Sequence, residues 1–332
     1  MASTRQSGPH TAAALRAARD RAGRSRRSPH RHFELKWGLL FISPWILGFF
    51  IFFFVPMVSS LGFSLFDFNL SAVGTHAFIG LQNWKRAFLQ DPEVPLAVLK
   101  SFLFAGISLP ITFLFALSLA LVLNSSLLRG KSLFRALFYF PAMIPFVGTV
   151  MIWYGVLNQH AGWINQIIEW VTGFKATGSG GIQWLQSANL VYFSYTWVGL
   201  WGVGNTVMTF IAGLQRVPTE LYEAAIVDGA GWGTRLRRIT LPMITPIIFY
   251  NLILSIIGTM QFFLVPYVLN RGDGTPAGMT NFIMVYFYRQ SFNYFNMGYG
   301  SVIAWIIFLI AMALTVVLFK TQKRWVYYMG DK

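Results

Sequence analysis

Residues 220–242 read ELYEAAIVDGAGWGTRLRRITLP: three acidic residues, then three glycines, then three arginines, set between long apolar runs. Carboxylates and guanidinium groups with no histidine, cysteine or serine among them suit charge-assisted docking better than bond making. A second set lies just upstream. Trp197, Trp201 and Asn205 recur at every fourth position and so share one helical face, with Gly202 beside them giving room. A third stripe holds Asn251, Ser255, Gly258, Thr259 and Phe262, with Gln261 off it. Aromatic rings with amide and hydroxyl groups, and no charge, can hold a neutral polyhydroxylated solute by stacking and hydrogen bonds. The same residue types also make ordinary helix–helix contacts in lipid. Spacing alone leaves both readings open.

Catalytic and metal chemistry find little support. No Cys is present, so thiolate metal sites and disulfides are excluded. The five histidines lie in the N-terminal arm and in segments between apolar runs, and the His30-x-His32 pair has no second ligand pair near it. The segment RGKS at 129–132 has the Gly-Lys pair of a phosphate loop, but the glycine needed five residues earlier is Ser125. We therefore expect no catalytic residues, no metal and no cofactor bound by this chain.

The elements that position these residues follow from composition. Of 332 residues, 55% are hydrophobic and 11% charged, with a mean hydropathy of +0.54. A soluble domain carries about 25% charged residues, so the chain is expected to be an all-α integral membrane protein. A spanning helix needs about 20 apolar residues. Six stretches qualify: 39–61, 102–123, 136–157, 188–214, 243–269 and 301–319. Pro44, Pro56, Pro110, Pro141 and Pro145 fall inside them, where neighbouring helices can re-satisfy freed carbonyls. A seventh run at 274–288 is short, and is read as an interfacial or re-entrant piece. None of the six contains Asp, Glu, Lys, Arg or His. Ion-coupled pumps usually carry such a group at membrane depth, so energy for uphill movement would have to enter from a partner.

Charge placement sets the orientation. With the N-terminus in the cytoplasm, 20 of the 26 Lys/Arg fall on the inside and six outside, or 11 against six with the long basic arm discounted. Both termini and the 216–242 segment then face the cytoplasm. Residues 1–36 read as a disordered basic arm against anionic lipid, 37–320 as the membrane domain, and 321–332 as a cytoplasmic tail. The outside segments 62–100 and 158–187 either receive an extracytoplasmic partner or cap the bundle. GWINQIIEWV at 162–171 is expected to form a short helix on the outer surface.

Within 216–242, Pro218 and Thr219 before Glu220 mark a helix start. The run to Asp228 favours helix, Ala224 and Ala225 permit close approach of another backbone, and the glycines should end the helix. Pro242 is expected at the first turn of the next span. A docking helix and an ordinary amphipathic surface helix both fit this pattern.

The spacing Glu223-Ala224-Ala225, Gly229, Ile239, Leu241, Pro242 resembles the E-A-A-x(3)-G-x(9)-I-x-L-P signature of permease subunits of binding-protein-dependent ABC importers, with all seven positions filled. FIGLQNW at 78–84, FRALFYFPAMIP at 134–145, GWIN at 162–165 and AGLQRVPTELYEAAIVDGA at 212–230 resemble the maltose-type sugar permeases, so the likeness spans most of 39–320. The long Arg-rich arm departs from it. The resemblance implies a type I importer permease of six spans with a cytoplasmic coupling helix. Glu223, Ala224, Ala225 and Gly229, with Asp228 beside them, would engage an ATPase. It also implies a second permease, two ATPase subunits carrying ATP and Mg, and an extracytoplasmic solute-binding protein in a bacterial cell membrane. It implies that the spans flanking the signature line the path of a carbohydrate. Rival readings are a permease for a non-sugar solute such as glycerol phosphate, an ATP-independent facilitator, and a membrane enzyme acting on lipid-linked sugars. The last lacks a convergent carboxylate or histidine set.

Overall fold

The computed structural model describes residues 29–71 and 77–327, with side chains from residue 36 onward. The basic arm through Ser28 and the tail from residue 328 lie outside the described residues, as do the side chains of His30 and His32. Backbone contacts divide the chain into two compact units, 1–59 and 60–332.

The first span is a helix, α1 (Lys36–Phe63), which passes Pro44 in regular form and widens into a π turn at Phe50–Phe54, just before Pro56. Helical backbone already begins at Pro29, inside the segment assigned to the basic arm.

The second unit is built around α2 (Glu93–Asn124), 32 residues long and continuous through Pro110. Its buried positions recur at three and four residues: Ala97, Ser101 and Phe104 in one half, Ala116, Ala120 and Leu123 in the other. The alanines let neighbouring backbones come close, which is how apolar helices associate where water supplies no driving force. After α2 come α3 (Lys131–Tyr139), α4 (Phe146–Val156), the short α5 (Trp163–Thr172), α6 (Val191–Trp201), α7 (Gly204–Leu214) and α8 (Thr219–Val227). The last part holds α9 (Leu241–Met260), α10 (Leu264–Leu269), α11 (Ile283–Tyr288) and α12 (Met297–Thr321). No strand occurs among the described residues, only isolated bridges at Phe66–Phe78 and Asn69–Asn296.

Four helices are long and apolar enough to cross a membrane, and two bent pairs bring the number to six. Two of the six expected spans are bent. The third predicted span folds as Lys131–Met143 and Phe146–Val156 at 97°, broken by a 3-10 turn over Phe140–Met143 and by Pro145. Its two prolines, unlike Pro110, are not absorbed. The fourth span breaks at Gly202–Val203, and α6 and α7 meet at 61°. At this break Gly204 approaches the carbonyl of Phe138 so closely that a Cβ on it would lie 2.8 Å from that oxygen. Only glycine fits there.

In the fifth span Pro242 stands in the first turn of α9, as expected, but helical backbone already begins at Trp232 and runs through a π turn at Leu236–Thr240 into α9. The Leu241 N–H bonds the Leu236 carbonyl five residues back. One extra residue in the turn lets the helix pass a proline that cannot donate. The 274–288 run ends in α11, whose Ile283, Val285 and Tyr286 are buried within this unit. It is thus a short internal helix packed against α2 and α12.

Three apolar clusters share α2. One gathers Phe104, Tyr192, Tyr195 and Phe282. A second joins Ala97, Ile283, Tyr299 and Ile303. The third packs Ala116, Ala120 and Leu123 on Phe210, Leu214 and Ile244, with Tyr222 of α8 against its edge.

Candidate functional site

The 216–242 segment forms a hairpin of two helical limbs. Pro218 precedes α8, and Glu220 sits in its first turn, where a carboxylate complements the helix dipole. Leucine, alanine and glutamate carry α8 on to Val227. Gly229 stops it at φ +76°. The Ala230 N–H bonds the Ala225 carbonyl at 2.8 Å, and the Gly229 N–H bonds that of Ile226 at 3.0 Å. These two bonds define a Schellman cap, which needs a left-handed residue at its corner. The signature glycine is therefore a requirement of the backbone.

The face this hairpin presents is chemically distinct. Glu223, Ala224, Asp228 and Gly229 are exposed, and Ala225 is half-buried. Ile226, Val227 and Trp232 are exposed apolar residues, Val227 at 88%. Tyr222 turns the other way. Its ring joins the apolar cluster at the end of α2, and its hydroxyl lies 2.9 Å from Thr240 Oγ1.

The aromatic and amide residues named from sequence fall into three places. Trp197 and Trp201, with Trp153, line a cavity of about 510 Å³ walled also by Phe115, Phe138 and Pro141. Trp153 and Trp201 meet edge to face at 6.0 Å. Asn205 stands beyond the break, so the single face expected of Trp197, Trp201 and Asn205 is split between α6 and α7 at Gly202. It lines a separate cleft of about 280 Å³ with Asn251, Ser255, Thr206, Thr209 and Tyr250. There the Thr209 hydroxyl donates to Asn251 Oδ1 at 3.1 Å. Thr259 bonds back to the Ser255 carbonyl, and Gly258 is exposed. Phe262 stacks on Phe104 at 4.6 Å within the aromatic cluster. Among the named residues, Asn205, Asn251 and Ser255 come together, as do the two tryptophans, while Phe262 is separate from both groups.

Other polar residues that carry the architecture were visible only as pieces of motifs. Asn83 of FIGLQNW donates from Nδ2 to the carbonyls of Ser64 and Phe66, and Trp84 Nε1 donates to Ser64 Oγ. Asn165 of GWIN, fully buried, donates to the carbonyls of Gln159 and Ile182 and accepts from Trp184 Nε1 at 2.7 Å. Each asparagine ties an intervening loop into a fixed shape.

Asp91 is a residue that sequence reasoning missed. Its Oδ2 accepts from the hydroxyls of Tyr286 and Tyr299, each at 2.5 Å, and Gln290 Nε2 donates to Tyr286. The Arg86 guanidinium stacks 4.2 Å above the Tyr299 ring. Burial pushes the Asp91 carboxyl up, but the two tyrosine hydroxyls, the Glu93 N–H and the Arg86 charge outweigh burial and hold it below the usual carboxylate range. The partners are about two hundred residues away in sequence, and no local pattern announces them.

This geometry has counterparts among known proteins. The model of the family described as "Binding-protein-dependent transport system inner membrane component" matches residues 98–326, more than half of the chain. The chain is 34% identical over 292 residues to the probable ABC transporter permease protein YesP of Bacillus subtilis, covering 88% of this chain and 92% of that protein. It is 29% identical to the trehalose/maltose transport system permease protein MalF of Thermococcus litoralis, covering 87% and 95%. Among solved structures, a chain of a bacterial alginate ABC transporter, in complex with an alginate pentasaccharide-bound periplasmic protein, superposes with a TM-score of 0.74 at 21% identity, covering 91% of this chain and 98% of that one. At that identity the likeness concerns the fold. The family model over 98–326 and the 34% identical relative agree, and the chain belongs to the binding-protein-dependent transport system inner membrane components as an ABC transporter permease subunit.

Proposed function

We propose that this chain is one of two permease subunits of an ATP-driven carbohydrate importer, and that α8 with its Gly229 turn seats in a cytoplasmic ATPase. The observation that carries the reading is the hairpin itself. It presents Glu223, Ala224 and Asp228 to solvent on a short helix held rigid by a Schellman cap. Small side chains admit a close partner surface, and the carboxylates can pair with basic groups there.

The placement of basic residues supports a cytoplasmic position for this hairpin and for both termini. ATP and Mg would be held by the partner ATPase subunits, and solute would be delivered by an extracytoplasmic binding protein. Carbohydrate is supported by the names of relatives and by side-chain chemistry. Relatives include a trehalose/maltose and an arabinooligosaccharide permease. In this chain Trp153, Trp197 and Trp201 offer ring faces, and Asn205, Thr209, Asn251 and Ser255 offer amide and hydroxyl groups without charge. Gly202, Gly258 and Thr259 adjoin these groups along the chain and complete the proposed path.

The test is uptake by the full assembly, reconstituted in vesicles with the partner permease, the ATPase subunits and the binding protein. A panel of labelled neutral oligosaccharides should enter only with ATP. Trp201→Ala or Asn205→Ala should lower uptake about fivefold, the worth of one lost contact of about 1 kcal/mol, and leave solute affinity of the binding protein unchanged. Uptake without ATP would point to a facilitator, and unchanged uptake in both variants would remove these residues from the path.

A further inference from the structure

The two limbs of the hairpin are joined in a specific way. The outgoing limb is α8. The return limb begins at Trp232 and runs without interruption into α9. Among the described residues, one side-chain hydrogen bond links the limbs: the Tyr222 hydroxyl and Thr240 Oγ1, 2.9 Å apart and 18 residues apart in sequence. Thr240 is buried, and it is the last residue of the π turn that precedes Pro242. Its hydroxyl also points to the Arg235 carbonyl at 3.4 Å. Leu121 of α2, Trp232, Arg235 and Leu236 close around the pair in a cleft of about 150 Å³.

This arrangement bears on force transmission. The cap fixes Gly229, so a push on α8 passing only through the link from Val227 to Trp232 would be taken up as rotation at Gly231. A π turn is also a place where a helix bends readily, because its ladder is interrupted. The hydroxyl pair bypasses the glycine link and braces the π turn at its last residue. It fastens the middle of α8 to the end of that turn, directly before α9.

We propose that Tyr222 and Thr240 are positioning residues for transport: their hydrogen bond makes the coupling helix and the fifth span move as one lever. This rests on the reading of α8 as the ATPase-seated element. Neither residue need touch solute or nucleotide.

The experiment uses the full reconstituted assembly and measures ATP hydrolysis and solute uptake in the same vesicles. Tyr222→Phe removes one oxygen, and Thr240→Val replaces the hydroxyl with a methyl of similar size, so neither perturbs the core. Each should raise ATP consumed per solute imported about fivefold, the factor expected when one partly buried hydrogen bond is lost. Thr240→Ser keeps the hydroxyl and should keep wild-type stoichiometry. The double variant should be no worse than either single one, since the two share one bond. A purely structural role would instead lower hydrolysis and uptake together and leave their ratio unchanged. That result, or additive effects in the double variant, overturns the proposal. If wild-type uptake itself is independent of ATP, the functional reading fails before any variant is compared, so the two failures are distinguishable.

Discussion

Substitution of Gly229 separates backbone cost from partner contact. Gly229 sits at φ +76°, and a Cβ placed on it meets no atom of the chain within 4 Å. A substitution there therefore meets no clash at its Cβ and carries chiefly a conformational penalty. For a non-glycine residue in the left-handed region that penalty is about 1–2 kcal/mol, with asparagine at the lower end. In Gly229→Ala the cap opens correspondingly more often. Amide exchange at Ala230 and Gly229, whose N–H groups close the Schellman cap, should speed up about fivefold to thirtyfold on the scale of tenfold per 1.4 kcal/mol. Gly229→Asn should show a smaller increase. Gly229→Trp should match alanine in exchange, because Gly229 is exposed and its Cβ position is clear, yet it should abolish ATP-driven uptake if the turn seats in a cleft. Hydrogen exchange followed by mass spectrometry reads the first quantity, and vesicle uptake reads the second. Full uptake with Gly229→Trp would refute seating of the turn. Equal exchange in the wild type and in Gly229→Ala would refute the account of the cap.

Two further outcomes follow from buried polar groups. Asn165→Ala leaves two carbonyls and the Trp184 indole N–H, all part-buried, without their partner, so it should destabilise the second unit by about 2–4 kcal/mol, seen as a lower thermal midpoint in detergent. The Asp91 carboxyl, held below its ordinary value of 3.8 by its hydroxyl donors, contributes stability that is present above that value and lost as pH falls through its lower folded value. Thermal midpoints measured from pH 6 down to about pH 3 should therefore fall less steeply in Asp91→Asn than in the wild type; parallel curves would show that another carboxylate governs acid lability.

Much of this arrangement was legible in the sequence because it rests on local chemistry. Charge-free runs marked six spans, since a buried charge in lipid is costly at any position. The spacing from Glu223 to Pro242 marked the hairpin, since its cap is set by nearest neighbours. What the sequence left hidden depends on distant partners. Pro110 and Pro141 look alike in a string of letters, yet α2 runs through one while the other lies at a 97° break. Gly202 reads in the sequence only as room beside the tryptophans, whereas the fold breaks the helix there and sets Gly204 against the Phe138 backbone, some sixty residues upstream. Phe262 belonged to a plausible stripe by spacing, and only packing places it against Phe104. Asp91 belongs to no sequence motif, and only the fold brings two tyrosines to it.

The break at Gly202–Val203 has a mechanical result. On one side, α6 is anchored: Tyr192 bonds the Met279 carbonyl, Tyr195 bonds Asn270 and Ser194 bonds the Trp184 carbonyl. On the other side, α7 leads to α8 through only the short stretch 215–218. α7 is in turn packed on α2 through Phe210 and Leu214. If α8 is the driven element proposed above, a load on it reaches α7 and the end of α2 together, and the kink sets α6, with its own separate moorings, off that line.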